Sequence, residues 1–370
     1  MPEPLEPAFS TFVRMSKTVF YSYHARTSFI RIDESILERR FRIQPFVFSI
    51  SGGLSIPLLW LKQARSIWRH RREIDLFFSM FAGYHTLVPC LFARWFKKPH
   101  IIVAGGIDCV SYPSADYGNF HKPLLARITA FSFRTCSFIA PISEYLVRSE
   151  NQYAAGDPVG QGILNMVPNL RTPIKVVHNG FWLDRWYPDA EPRKVGTFIT
   201  IASNLDHPSR VRIKGIDLVL QVAALCPQFH FTIIGKDAPE GFTQLSNVTV
   251  LPFQPYESLR QVYCRHSHYL QLSMSEGFGN TLAESMLCGC VPVGSRAGAI
   301  PMIVGDAGYL LDRKDAAQLK GLLELAVAEY SMEQGMASRQ RILQQFGIDR
   351  RQDALMEVIN GLLPAEANRT

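Results

Sequence analysis

The chain has 370 residues, more than one ordinary core tends to hold, so two domains are expected. Hydrophobic residues make up 47% and charged residues 19%, which excludes an intrinsically disordered chain. The net charge of +7 is uneven: residues 1–190 hold 22 Lys+Arg against 14 Asp+Glu, and residues 191–370 hold 17 against 18.

Residues 1–16 are proline-rich and carry early acids, without a basic start followed by an apolar run. They read as a flexible tail rather than a secretory signal. Strand-like apolar runs follow at 18–23, 46–50, 75–80, 100–105, 137–143 and 174–179. Helical patterns at 33–40, 57–71, 87–96, 122–135 and 144–152 lie between most of them. The stretch 76–93 has no charged residue and reaches the lower length for a membrane span. Gly83, His85, Thr86 and Pro89 interrupt it, so a buried strand, a loop and a helix start fit better.

Prolines and mixed charge at 185–194 read as a linker. Beyond it, runs at 198–203, 229–235, 248–253, 269–273 and 291–295 again alternate with helices. Buried strands spaced by helices imply parallel sheets covered on both faces. The expectation is α/β: a first domain at 17–188 and a second at 189–349. A helix at about 350–364 is free to pack back onto the first. Ligands of such sheets bind beyond the carboxyl ends of the strands, which places the site in the cleft between domains.

The excess basic charge includes Arg65, Arg69, Arg71 and Arg72 beside Trp60 and Trp68, then Arg94, Lys97 and Lys98 beside Trp95. Two readings stand: an anionic membrane surface as partner, or a solvated helix face whose tryptophans pack inward. No nucleic-acid-binding motif accompanies the charge, so nucleic acid is not expected as a partner. Seven scattered cysteines suit reduced thiols in the cytoplasm, with the inner face of the plasma membrane as the peripheral alternative. His266 and His268 could bind a metal, but a surface pair is the stronger reading.

The most telling stretch is E-G-F-G-N-T-L-A-E at 276–284. An apolar strand ends in a glycine-rich loop, and a helix starts near Asn280 or Thr281. Free N–H groups from Gly279 to Leu282 would face a phosphate there. Lys214 stands just before a glycine and a helix, where it can supply a point charge.

This stretch, with Gly289, Val291-Pro292-Val293 and Gly298, resembles the C-terminal motif of retaining GT-B glycosyltransferases of the group 1 (family 4) type. VVHNGFWLDRWYPD at 176–189 resembles that family's strand-to-linker motif, and IKGID at 213–217 its phosphate-lysine segment. The resemblance implies a GT-B fold, two doubly wound Rossmann-like domains facing across a cleft. It implies a nucleotide-diphosphate sugar (UDP or GDP) as donor, a glycan or lipid-linked acceptor, retention, and no cofactor or metal. Glu276 would contact a hydroxyl of the donor sugar, Glu284 the ribose, and Gly277, Phe278, Gly279, Asn280, Thr281 and Leu282 the donor. No D-x-D occurs to hold a metal-bound diphosphate.

The departures are specific. Asn204 stands where many relatives carry an arginine, and Arg210 or Arg212 would restore the charge; an exposed basic loop is the alternative. In Gly105-Gly106-Ile107-Asp108, Ile107 replaces the family's usual histidine. Asp108 is either a polar contact to the sugar or acceptor, beside Gly106, or a turn aspartate. His85 is either an acceptor-side residue or a structural helix cap. Rival readings are a sugar-nucleotide epimerase, a phosphorylase, or a relic of the fold that only binds nucleotide or protein partners.

Overall fold

The computed structural model describes residues 17–153, 155–202, 205–235 and 245–363. The first domain runs β1 (Lys17–Tyr23), α1 (Ser28–Leu37), β2 (Phe41–Val47), α2 (Ser55–His70), β3 (Ile74–Met80), α3 (Leu87–Phe96), β4 (His100–Ala104), α4 (Pro123–Thr135) and β5 (Phe138–Pro141). Its five strands are parallel in the order β2-β1-β3-β4-β5. A short antiparallel pair, β6 (Ser149–Glu150) and β7 (Gly160–Gln161), and the single turn α5 (Ile163–Met166) complete it.

The second domain begins with β8 (Lys194–Ile201), α6 (Pro208–Ile213), α7 (Ile216–Leu225), β9 (His230–Ile234), β10 (Val248–Leu251), α8 (Tyr256–Cys264), β11 (His266–Gln271) and α9 (Asn280–Leu287). It continues through β12 (Val291–Ser295), α10 (Ile300–Val304), β13 (Tyr309–Leu311), α11 (Ala316–Ala328) and α12 (Met332–Gln345). The parallel sheet has the order β10-β9-β8-β11-β12-β13. The order reverses between β8 and β11, the switch point at which such sheets open a crevice for ligands.

Three expectations need correction. The run 46–50 is not the second strand, which lies at Phe41–Val47 and admits polar Arg42 and Gln44 because β2 is an edge strand. The run 174–179 forms one bridge, Ile139 to Ile174, rather than a strand. The pattern at 144–152 is a 3-10 turn at Glu144–Leu146 followed by β6. The stretch 76–93 divides into β3, a 3-10 turn at Tyr84–Thr86 and α3. Among the described residues no helix is long and apolar enough to cross a membrane.

The linker chemistry at 185–194 conceals two anchors. Trp186 is buried against Tyr263, with ring centroids 5.8 Å apart. Buried Arg193 donates to the carbonyls of Tyr263 (3.1 Å), His266 (2.6 Å) and Cys288. A guanidinium out of water is tolerable only with its donors used, and these carbonyls use them.

The last helix, α13 (Ile348–Leu362), lies against the first domain. Arg351 donates to Asp33 Oδ1 (2.7 Å) and Oδ2 (2.9 Å), and to the carbonyls of Val177 and His178. Both ionic side chains are almost wholly buried, at 1% and 0% exposure. The seven cysteines are free and buried. His266 and His268 are buried too, hydrogen-bonded to Thr232 Oγ1 and Val262 O and to Ser267 Oγ and Ala326 O, so the surface pair expected there is a set of core contacts.

Candidate active site between the domains

The carboxyl ends of strands from both sheets meet around a cavity of about 510 Å³. The first domain contributes Met80 at the end of β3 and Phe81 after it, Gly105 and Ile107 after β4, Ile142 after β5, and Tyr117. The second contributes Ile201 and Ala202 at the end of β8, Ile234 and Gly235 at the end of β9, Phe253, Arg210, Lys214, and the segment from Glu276 to Thr281.

That segment is positioned by backbone contacts. Ala299 N donates to Glu276 O at 2.9 Å. A Cβ at Gly298 (φ +59°) would stand 2.4 Å from that same oxygen, so only glycine lets the chain pass. From the other domain, Ser143 Oγ donates to Gly277 O at 2.7 Å and Asn151 Nδ2 to Met274 O at 2.7 Å. Gly106 lies in this interdomain contact: a Cβ there would stand 3.4 Å from Gly277 Cα. The loop that carries the site is therefore fixed by both domains.

Gly279 (φ +100°) leads into α9. The first N–H groups of a helix lack intrahelical partners, so those of Asn280, Thr281 and Leu282 present partial positive charge at its start. Thr281 Oγ1 accepts from Tyr269 OH at 2.7 Å, and Asn280 Oδ1 accepts from Asn179 Nδ2 at 2.9 Å. The Phe278 and Leu282 side chains are buried, Phe278 against Phe181 and Phe346. What Leu282 could offer a ligand is its backbone.

Lys214 caps the end of α6, and its Nζ donates to Glu276 Oε2 at 2.7 Å. Gln271 Nε2 reaches the same oxygen at 3.4 Å. Both members of the pair line the cavity. Arg210 also lines it, its guanidinium carbon 5.6 Å from the Tyr117 ring centroid. Arg212 instead donates to Ser114 O and lines a separate polar cleft with Lys314 and Asp217. The structure thus turns only Arg210 of the two toward the cavity; Asn204 lies outside the described residues.

Glu284 sits one helical turn behind Glu276's loop. It lines a small adjoining pocket with Asn179, Gly180, Asn280 and Arg351; Asn179 and Asn280 line both spaces. Burial pushes its carboxyl up to about 8, partly offset by the nearby Tyr263 hydroxyl.

Two sequence candidates do not reach the cavity. Asp108 is fully buried; Oδ1 accepts from Gly105 N (3.1 Å) and Gly106 N (3.0 Å), and Oδ2 from Ala82 N (2.8 Å). Burial raises its carboxyl while those N–H groups lower it. It is a turn aspartate that shapes the cavity wall. His85 is also fully buried, donating from Nε2 to Met80 O at 2.9 Å, its ring 4.2 Å from that of His24. Burial lowers its basicity well below the usual histidine range. It braces the segment after β3 and does not line the cavity.

Sequence reasoning missed Phe81. It holds a left-handed conformation, φ 65°, which costs a bulky residue energy. Its ring fills the space a side chain on Gly105 would need, since a Cβ there would lie 2.1 Å from Phe81 Cε1. No signal at Phe81 itself reveals this; Gly105 holds the hint. Among the described residues no group of three or more His, Cys, Asp or Glu is placed to hold a metal.

Residues 197–326 match the family described as glycosyl transferases group 1. That match lies within the second domain. The chain is 35% identical over 237 residues to N-acetyl-alpha-D-glucosaminyl L-malate synthase of Bacillus anthracis, covering 60% of this chain and 59% of that protein. It is 30% identical over 163 residues to D-inositol 3-phosphate glycosyltransferase of Mycolicibacterium smegmatis, covering 39% and 38%. The matches span less than two thirds of the length of these relatives.

Solved structures share the whole fold. Sucrose-phosphate synthase from Thermosynechococcus elongatus superposes with a TM-score of 0.76 at 14% identity, covering 94% of this chain and 99% of that one. HepE from Anabaena, solved in complex with UDP and glucose, gives 0.68 at 16% identity, covering 94% and 100%. The fold is GT-B: two Rossmann-like domains facing across a cleft.

Proposed function

We propose that the protein is a glycosyltransferase that moves a sugar from a nucleotide-diphosphate donor to a hydroxyl of a glycan or lipid-linked acceptor, with retention at the anomeric carbon and without a metal. One observation carries the reading: Lys214, Arg210, the N-terminus of α9 and Glu276 converge on one cavity between two GT-B domains. The match of residues 197–326 to group 1 glycosyl transferases supports it.

As a glycosidic bond to a diphosphate breaks, negative charge grows on the leaving oxygen. Fixed cations and N–H dipoles aimed at that charge lower the barrier because they need no reorganisation. Lys214 Nζ and the first N–H groups of α9 have that chemistry. Glu276, as an acceptor-only carboxylate, suits a hydroxyl of the donor sugar, and Glu284 suits the ribose from its adjoining pocket. Phe253 is 67% exposed, lines the cavity as Gly235 does, and offers a stacking surface to the base. Lys236 and Asp237, which follow Gly235, lie outside the described residues. Assembly of cell-surface polysaccharide or lipopolysaccharide is the setting this reading favours.

The test is nucleotide release on incubation with UDP- and GDP-sugars, with and without EDTA, and with the anomeric configuration of the product read by NMR. Thermal shift with nucleoside diphosphates identifies the base. Nucleotide binding without release across acceptors would instead favour a relic that only binds.

A further inference from the structure

The first domain carries an apolar and basic face that the reaction does not use. Along α2, Leu58, Leu61, Arg65 and Trp68 follow one another at spacings of three and four, with Leu54 just before the helix. That spacing places them on one stripe. All are exposed, Leu54 at 94% and Leu61 at 68%. The opposite side of α2 is buried: Ile67 lies in a small core with Phe20 and Phe77, and Gln63 Nε2 donates to His85 O at 3.0 Å.

Helix α3 extends the stripe. Trp68 lies against Trp95, ring centroids 5.5 Å apart, and Trp95 is 64% exposed. Leu91, one turn earlier, is exposed as well. Arg71 stacks over Trp68 at 4.3 Å. Residues 48–72 and 84–98 contain eight Lys and Arg and no Asp or Glu. Exposed leucines and tryptophans among a net excess of basic residues are unusual on a surface meant only for water.

We propose that the outer face of α2 and α3 docks on an anionic lipid bilayer. Charge complementarity selects this occupant: an apolar stripe rimmed by arginines fits acyl chains beneath anionic headgroups, with tryptophans at the headgroup level. The helices lie on the surface and do not span, since none among the described residues is long and apolar enough to do so. The face is tied to the cleft. Trp60 Nε1 donates to Tyr84 O at 2.7 Å, just after β3, whose following residue Phe81 lines the cavity. Resting on the transferase reading, docking would bring a lipid-linked acceptor to the rim of the site.

Co-sedimentation of the full chain with vesicles of phosphatidylcholine, with and without phosphatidylglycerol, tests the proposal. Binding is expected only to the anionic vesicles, weakening with salt. Leu58→Glu/Leu61→Glu and Arg65→Glu/Arg69→Glu should each weaken it about tenfold or more. The thermal shift given by nucleoside diphosphates should remain unchanged in both variants, which separates failure of docking from failure of the transferase reading. Absence of binding to anionic vesicles overturns the proposal. So does a dimer in light scattering that Leu58→Glu/Leu61→Glu splits, because the face would then be covered by a second copy.

Discussion

Lys214 Nζ lies 2.7 Å from Glu276 Oε2, so the cation suited to a diphosphate and the carboxylate suited to a sugar are paired with each other. The two come from different elements, 62 residues apart, and meet because Gly215 lets the start of α7 approach the end of β11. A Cβ at Gly215 (φ +70°) would lie 2.1 Å from Leu272 O. In the proposed reaction a donor would separate the pair and take both partners.

Lys214→Ala should therefore raise the barrier to sugar transfer by on the order of 3 kcal/mol, the effect of losing one preorganised charge donor. The readout is turnover by nucleotide release, with circular dichroism to verify folding. Unchanged turnover in a folded variant removes Lys214 from the proposed role.

Gly277 leaves no room for a side chain against the first domain: a Cβ there would lie 2.2 Å from Gly105 O. Gly277→Ala should push the loop from the first domain and disturb the Ser143 hydrogen bond to Gly277 O. Misplacement of about 1 Å in a site of this kind can cost roughly a hundredfold in rate. The expected result is a large drop in kcat and an increased radius of gyration by small-angle scattering, with little change in the melting of the separate domain cores.

Glu284 predicts a pH dependence of stability. Its folded pKa of about 8 lies above the ordinary 4.5, so between those values the folded state keeps a proton that the unfolded chain has released. Its stabilising contribution is full below pH 4.5 and declines as pH rises toward 8. Glu284→Gln cannot ionise, so its Tm should exceed that of the unsubstituted protein at pH 8, by roughly a few degrees or more, and the gap should close by pH 5. Parallel Tm curves for the two proteins from pH 5 to 8 would contradict this assignment.

The Arg351–Asp33 pair ties α13 to α1. Removing one partner strands a buried charge, a loss of about 3–5 kcal/mol. Asp33→Asn and Arg351→Met should each lower stability by that order in urea unfolding. The double substitution should recover part of the loss, because no charge is then left unpaired. Additive losses would mean that Arg351 acts through the carbonyls of Val177 and His178 alone.

The sequence by itself determined the parts that depend on local order. The buried runs at 75–80, 100–105 and 291–295 became β3, β4 and β12, because central parallel strands need continuous apolar side chains. The E-G-F-G-N-T-L-A-E stretch placed a loop and a helix start correctly, since glycine at φ +100° marks the turn into α9. Tertiary structure decided the rest. Asp108 and His85 look like site residues in one dimension, but folding buries both: backbone N–H groups occupy the Asp108 carboxylate, and His85 Nε2 is held by Met80 O. Arg210 and Arg212 cannot be told apart by spacing; the position of α6 sends one into the cleft and the other toward Ser114. The pairing of Lys214 with Glu276 is likewise a matter of which strand ends adjoin at the switch point. A polar side chain's function depends on what is left for it to bond after folding, and that remainder exists only once both domains are in place.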